Sequence, residues 1–135
     1  MLKSILSSPY VSVLEQALAA SSLRQKVISN NIANVNTPGF KKSEVAFEDV
    51  LQEALDDTGL PLTQTNERHL PVRQVSMVTP RENMVGNTSL RTDGNNVDID
   101  VEMAEMAKNS IYYDAVVKQL SHYITDLKSA ISGGK

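Results

Sequence analysis

Ser29-Asn-Asn-Ile-Ala-Asn-Val-Asn-Thr-Pro-Gly-Phe40 decides how this chain is built. Asparagine tolerates left-handed backbone and can bond the free carbonyls at a helix end. Pro38 cannot continue a helix, and Pro38-Gly39 favours a type II turn. The segment therefore ends one long helix and redirects the chain at a fixed angle. Four asparagines between Asn30 and Asn36 are more than a helix stop requires.

Upstream, Ser8-Pro9 is a plausible helix start, because serine caps and proline suits the first turn. Leu14, Leu18, Ser21, Gln25, Ile28, Ile32 and Val35 follow at alternating steps of four and three. This heptad seam is diluted by Ser21 and Gln25. Val13, Ala17, Ala20 and Val27 form a second stripe, and alanine allows close backbone approach. The spacing predicts a helix from about Ser8 to Asn34.

Downstream, Met103, Met106, Ser110, Tyr113, Val117, Leu120, Ile124, Leu127 and Ile131 keep the same alternation over about four heptads. Asp100 is the expected N-cap, Glu102 and Glu105 suit the positive helix end, and Lys128 suits the negative end. Gly133-Gly134 stops the helix. A helix of about thirty residues is about 45 Å long, too long for the core of a compact domain this small.

Between the two lies a zone of turn signals. Phe47, Val50, Leu51, Ala54 and Leu55 mark a short amphipathic helix ending before Gly59. Pro61, Pro71, Pro80, Gly86 and Gly94 then punctuate the chain as far as Asn96. Brief alternation at Val72–Val78 and at Val97-Asp-Ile-Asp-Val101 permits short extended segments. The expected fold class is mainly α, with long terminal helices packed antiparallel as a coiled-coil pair. Residues 1–40 and 97–135 form that discontinuous unit, and 41–96 an irregular outer insert for subunit contacts.

Composition agrees. Among 135 residues, 41% are hydrophobic and only 4% aromatic, with no Trp, so the core must be built from aliphatic and small side chains suited to helix packing. The net charge of −3 argues against nucleic acid, which needs a basic face, and Lys41-Lys42 alone does not supply one. No cysteine is present to staple a small fold. No stretch approaches the roughly 18 apolar residues of a membrane span. Met1-Leu-Lys-Ser-Ile-Leu-Ser-Ser-Pro-Tyr10 lacks a continuous apolar core, so no cleaved signal peptide is expected.

Each terminal helix carries an apolar stripe that must be buried to keep it helical in water. Packing one helix on the other covers only one side of each. Further helices must cover the rest. If similar subunits supply them head to tail, the result is a ring or an open helical filament. The plainer alternative is an ordinary helical hairpin or dimeric coiled coil.

The Asn30–Phe40 signature, with Asn30, Asn31, Ile32, Ala33, Asn34, Thr37, Pro38, Gly39 and Phe40, closely resembles that of the flagellar axial proteins, the rod, hook and hook-associated subunits. Val45-Ala-Phe-Glu48 with Leu51, and Thr65-Asn-Glu-Arg-His-Leu70, resemble elements of their proximal-rod branch. Arg91-Thr-Asp-Gly-Asn-Asn-Val-Asp98 followed by Glu102-Met103 resembles that branch's approach to the C-terminal helix. The positions carrying this second motif are Asp93, Gly94, Asn95, Val97, Asp98, Glu102 and Met103. Asn109-Ser-Ile-Tyr-Tyr-Asp-Ala115 stands where a neighbouring rod protein would show a Ser-Arg-x-Tyr-x-Ala-Asn run.

The resemblance implies a structural subunit of the flagellar basal-body proximal rod, assembling helically as drive-shaft and export channel. It implies export through the flagellar type III apparatus without a cleaved signal, and a place in the periplasmic rod. The partners implied are copies of itself, other rod proteins, the adaptor FliE, the export gate and the membrane ring. The expected packing or interface residues are Leu14, Leu18, Ile28, Ile32, Met106, Tyr113, Val117, Leu120, Ile124 and Leu127. The alternatives are another rod or hook subunit, or a cytosolic coiled-coil adaptor.

Rival chemistries find little footing. There is no Gly-x-Ser-x-Gly elbow and no phosphate-cradling glycine loop. His69 and His122 are the only histidines, without zinc spacing, and His122 falls off the seam, where a surface position is expected. Asp93, Asn95, Asp98 and Asp100 suggest calcium, but an EF-hand needs glycine at its sixth position and Gly94 directly follows Asp93. The better reading is a tight Asp-Gly-Asn turn. The acidic run from Asp98 to Glu105 is either a solvated helix start or a contact for basic groups on a neighbour. No enzyme, cofactor, metal or small-molecule substrate is expected.

Overall fold

The structure, a computed structural model, describes residues 9–56 and 79–133. Helix α1 spans Pro9–Ala33, with Pro9 in the first turn as anticipated. Strand β1 (Ser43–Ala46) leads into helix α2 (Glu48–Asp56), and β2 (Arg81–Met84) precedes helix α3 (Ile99–Ile131). The fold is mainly α, with the two long terminal helices packed together, the strand pair tied near the end of α1 and the short helix packed against the pair. Thr65–Leu70, His69 and Val72–Val78 lie outside the described residues.

Helix α3 runs for 33 residues, and no glycine or proline interrupts it. At 1.5 Å per residue it is about 50 Å long. Ser132 caps its C-terminus, and Gly133 leaves at φ +78, a backbone region that costs glycine nothing.

Its N-terminus corrects the sequence reading. Val97–Val101 does not form an extended segment, and Asp100 is not the cap. Asp98 is the N-cap, its Oδ1 accepting from the Asp100 amide at 3.0 Å and the Val101 amide at 3.4 Å. The Val-Asp-Ile-Asp-Val alternation also fits one helical turn behind a capping aspartate. The cap satisfies two amides that a helix start otherwise leaves open.

Antiparallel packing of α1 on α3 is read from three side-chain pairs. Tyr10 stacks at a tilt on Tyr123 with ring centroids 5.4 Å apart. Asn109 donates to the carbonyl of Ser21, and Asn31 donates to Glu102. Ala17, Ala20 and Ser21, buried to 5%, 1% and 1% exposure, let the helix backbones approach closely.

The core cluster joins Ala17 and Ala20 of α1, Val116 of α3 and Phe47 at the head of α2, with Val50, Leu51 and Tyr112 packed against it. Burying Phe47 contributes about 1.5–3 kcal/mol. It also draws the start of α2 onto the helix pair. Residues β1 and β2 pair antiparallel with Ser43 opposite Met84 and Ala46 opposite Arg81.

The contact face of α3 does not coincide with its apolar stripe. Glu102, Asn109 and Val116 are buried, while Met103, Tyr113, Val117, Ile124 and Ile131 are 49%, 43%, 36%, 54% and 70% exposed. Because Ala20 sits where the helices nearly touch, Ala20→Leu is expected to cost about 1–3 kcal/mol through overpacking. Urea unfolding followed by circular dichroism checks it, and an unchanged midpoint would place Ala20 outside the contact.

Candidate functional site: an amide junction between two motifs

The Asn30–Phe40 signature and the Asp93–Glu102 motif are far apart in sequence and fold against each other. Asn95 is the centre, with 0% exposure. Its Nδ2 donates to the carbonyls of Asn34 at 3.1 Å, Val35 at 3.1 Å and Thr37 at 3.0 Å. These carbonyls lie at and just beyond the end of α1, where helical partners run out. On its other side, Asn95 Oδ1 accepts from the Val97 amide at 2.7 Å. One side chain thus closes the end of α1 and shapes the entry to α3.

Asn31, 1% exposed, supplies the second tie. Its Nδ2 donates to the Ser43 carbonyl at 2.9 Å, and its Oδ1 accepts from the Ser43 amide at 3.0 Å. The side-chain amide acts as one rung of a strand, docking β1 on α1. The same Nδ2 donates to Glu102 Oε2 at 3.0 Å, so α3 joins the tie. Asn96, 1% exposed, supplies the third. It accepts from the Lys42 amide at 2.7 Å and donates to the carbonyl of Val85 at 2.7 Å and to Thr88 Oγ1 at 3.0 Å.

The turns between these ties are tight. The Phe40 amide donates to the Thr37 carbonyl at 3.2 Å, and Gly39 at the bend has φ +72. This is the geometry expected for Pro38-Gly39. The Gly39 amide then donates to the Asp93 carbonyl at 2.9 Å. Gly94 has φ +83, a backbone region that glycine adopts freely, while a Cβ there would meet Gly39 Cα at an ordinary contact distance of 3.7 Å. Lys41 Nζ donates to the carbonyls of Thr88 and Gly94, both at 2.7 Å.

The residues singled out from sequence fall in three places. Asn31, Asn34, Thr37, Gly39, Asp93, Gly94, Asn95, Val97, Asp98 and Glu102 meet in or beside the junction. Asn30 offers its carbonyl to Asn34 Nδ2 at 2.9 Å, and Ile32 and Phe40 are half-buried, while Ala33, Pro38 and Met103 are exposed. Of the packing residues, Ile28 is buried, Leu14, Leu18, Met106, Leu120 and Leu127 are half-buried, and Tyr113, Val117 and Ile124 are exposed. His122 is exposed, as expected.

Sequence reasoning missed the burial of Asn95, Asn96 and Asn109. Asn109 Nδ2 donates to the Ser21 carbonyl and to Gln25 Oε1, both at 3.0 Å. The available signal was the pair of polar residues, Ser21 and Gln25, that interrupts the apolar seam of α1. A polar gap on one helix face calls for a polar partner on the other.

Beside the junction, α1, β1 and α3 enclose an open groove of about 570 Å³, with Val27, Ile28, Val45 and Val101 among its lining. Its cations are paired. Arg24 bonds Glu48, Lys42 bonds Glu44 at 2.6 Å, and Lys108 bonds Glu105 at 3.3 Å. Burial works against the charge of Glu48, but the Arg24 hydrogen bond and nearby cations outweigh it and hold the carboxyl below its ordinary range. The hydrogen bond to Glu44 holds the Lys42 ammonium above its usual value. Burial pushes the Tyr112 phenol up.

Fold and junction together define a class: a two-helix subunit with an outward apolar stripe, in which polar ties fix the insert to the helix ends. A family model described as flagella basal body rod protein matches residues 12–41, the stretch that contains the first half of the junction. The flagellar basal body rod protein FlgB of Bacillus subtilis is 38% identical over 126 residues, spanning 90% of this chain and 92% of that protein. FlgB of Borreliella burgdorferi is 36% identical over 78% of this chain and 83% of its own. FlgB of Escherichia coli K12 is 30% identical over 89% and 91%. The chain belongs to the FlgB family of flagellar basal body rod proteins.

Asn95→Ala removes a donor shared by three carbonyls. Those of Asn34 and Thr37 keep the Thr37 and Phe40 amides, while that of Val35 loses its partner. The change is expected to cost about 1–3 kcal/mol. Asn95→Asp sets a carboxylate against the same three carbonyls and should cost more. Chemical denaturation of both variants checks the order, and equal stability of Asn95→Asp and the parent chain would contradict the junction.

Proposed function

We propose that this chain is a structural subunit of the proximal rod, built into the drive-shaft and export channel of the flagellar basal body. Membership of the FlgB family supports the rod assignment. The observation that carries the mechanical reading is the exposed apolar stripe of α3. Met103, Tyr113, Val117, Ile124 and Ile131 leave large apolar side chains in water along most of a helix about 50 Å long. A helix with that face uncovered gains stability from neighbouring helices.

In this reading, residues 1–40 and 97–135 form the inner helical unit and 41–96 the outer insert that meets neighbouring subunits. The junction sets the angle between them. Copies of the same chain and other rod proteins cover the stripe. FliE, the export gate and the membrane ring lie at the cell-proximal end, and the chain reaches the periplasmic rod through the flagellar export apparatus without a cleaved signal. No catalytic group, cofactor or metal takes part. Asp93, Asn95 and Asp98, the residues that most suggest calcium, bond backbone amides or carbonyls instead.

Ile124→Asp separates folding from assembly, because Ile124 is 54% exposed in the single chain. The purified variant should unfold within about 0.5 kcal/mol of the parent, as surface substitutions do. A strain carrying it as the sole copy should be non-motile and yield basal bodies without a completed rod. Normal swarming with intact rods would sink the assignment of this stripe to assembly.

A further inference from the structure

Asp93-Gly94 is the single Asp-Gly step in the chain, and the sequence holds no Asn-Gly step. In an aspartyl chain the nitrogen of the next residue can close on the side-chain carboxyl. Glycine leaves that nitrogen least shielded, because it has no Cβ and turns freely. Both residues lie in the junction, so the fold decides whether this chemistry is open.

The turn holds it shut. The Gly94 amide donates to the Arg91 carbonyl at 3.1 Å, and no described residue other than glycine has positive φ. A turn closed in this way with negative φ at both central residues is type I, which sets Asp93 ψ at about 0°. Gly94 follows at φ +83, and the Arg91 amide donates to the Asn95 carbonyl at 3.1 Å, the pattern of a type I turn with a glycine bulge.

Ring closure needs Asp93 ψ swung far from that value, so that the Gly94 nitrogen faces Asp93 Cγ. The rotation breaks the bond to Arg91 and carries Gly94 and Asn95 with it. Lys41 then loses the Gly94 carbonyl, and the Asn95 amide is drawn off the three carbonyls at the end of α1. The carboxylate is held as well, Oδ1 by the Asn95 amide at 3.1 Å and Oδ2 by Arg91 Nε at 3.3 Å.

We propose that Asp93-Gly94 is a self-modification site, which forms isoaspartate in the open chain and is held off by the junction in the folded one. The Gly94 nitrogen bonds Asp93 Cγ, and one carboxyl oxygen leaves as water with the carboxyl and amide protons. Water then opens the cyclic imide. Cleavage between nitrogen and Cγ restores Asp93, and cleavage between nitrogen and the main-chain carbonyl leaves the chain running through the side chain. That product has one more backbone carbon in the turn. It also has a free carboxylate where the Asp93 carbonyl accepted from the Gly39 amide. The junction therefore discriminates between the two linkages, and only the ordinary one closes it.

The test uses the full chain, aged at one mildly acidic pH either folded in buffer or unfolded in guanidinium. Trypsin cuts after Arg91 and Lys108, so residues 92–108 leave as one peptide. Chromatography with electron-transfer fragmentation separates its aspartyl and isoaspartyl forms. Isoaspartate at position 93 is expected to accumulate in the unfolded chain and at least about tenfold more slowly in the folded one. Asn95→Ala and Lys41→Met, with helices intact by circular dichroism, should fall between. Lys41→Met leaves the Asn95 bonds in place and serves where Asn95→Ala does not fold. The isoaspartyl chain, returned to buffer, should show a lower denaturation midpoint than the aspartyl chain.

Equal rates in the folded and unfolded chain would overturn the inference. So would absence of isoaspartate at position 93 in guanidinium, the parent's rate in both folded variants, or the parent's midpoint in the isoaspartyl chain.

Discussion

Everything in this fold that concerns angle depends on the Asn95 side chain and the three carbonyls it serves. A helix end leaves carbonyl oxygens without amide partners, and burying them unpaired is expensive. Most helices solve this with water or a glycine cap. Here the end of α1 is closed by a side chain from the approach to α3. The direction of the chain after α1 and the start of α3 are therefore fixed by the same group. Asn31 and Asn96 extend this to β1, to Glu102 and to the loop after β2.

The buried interior is correspondingly unusual. Ser21, Asn31, Asn95, Asn96, Glu102 and Asn109 are as deeply buried as the apolar core around Phe47. Polar ties of this kind add little net stability, since each replaces a bond to water, but they penalise every wrong alignment. The large aliphatic groups of α3 are spent outwards instead. Small residues and amides hold the single chain in one geometry, and the stripe is left exposed, free for neighbours in the proposed assembly. A subunit that must present helices at a repeated angle needs this division, because an apolar face between its own helices would let them slide.

Much of this was legible in the sequence. The two long helices followed from heptad spacing, the short helix from Phe47, Val50 and Leu51, and the turn from Pro38-Gly39. Local chemistry determines each of these. The start of α3 was misplaced because Val97–Val101 alternates like a strand, and the capping role of Asp98 depends on where the backbone turns. The polar junction itself was hidden. An asparagine in a turn and an asparagine that satisfies three distant carbonyls look identical in one dimension, and the pairing of Asn31 with Ser43 needs the three-dimensional register. The apolar seam of α3 reads as a stripe in the sequence, but periodicity cannot say whether a stripe faces its own chain or another. The buried line through Glu102 and Asn109 was masked by its polarity.

The most direct test of the junction is amide hydrogen exchange on the purified chain. The account predicts that the amides of Gly39, Lys42, Ser43 and Val97, which lie outside the helices and are bonded in the junction, exchange as slowly as those in the middle of α1. Exchange of these four at the rate of an open loop, with α1 still protected, would show that the two motifs do not mate in the single chain and would contradict the account.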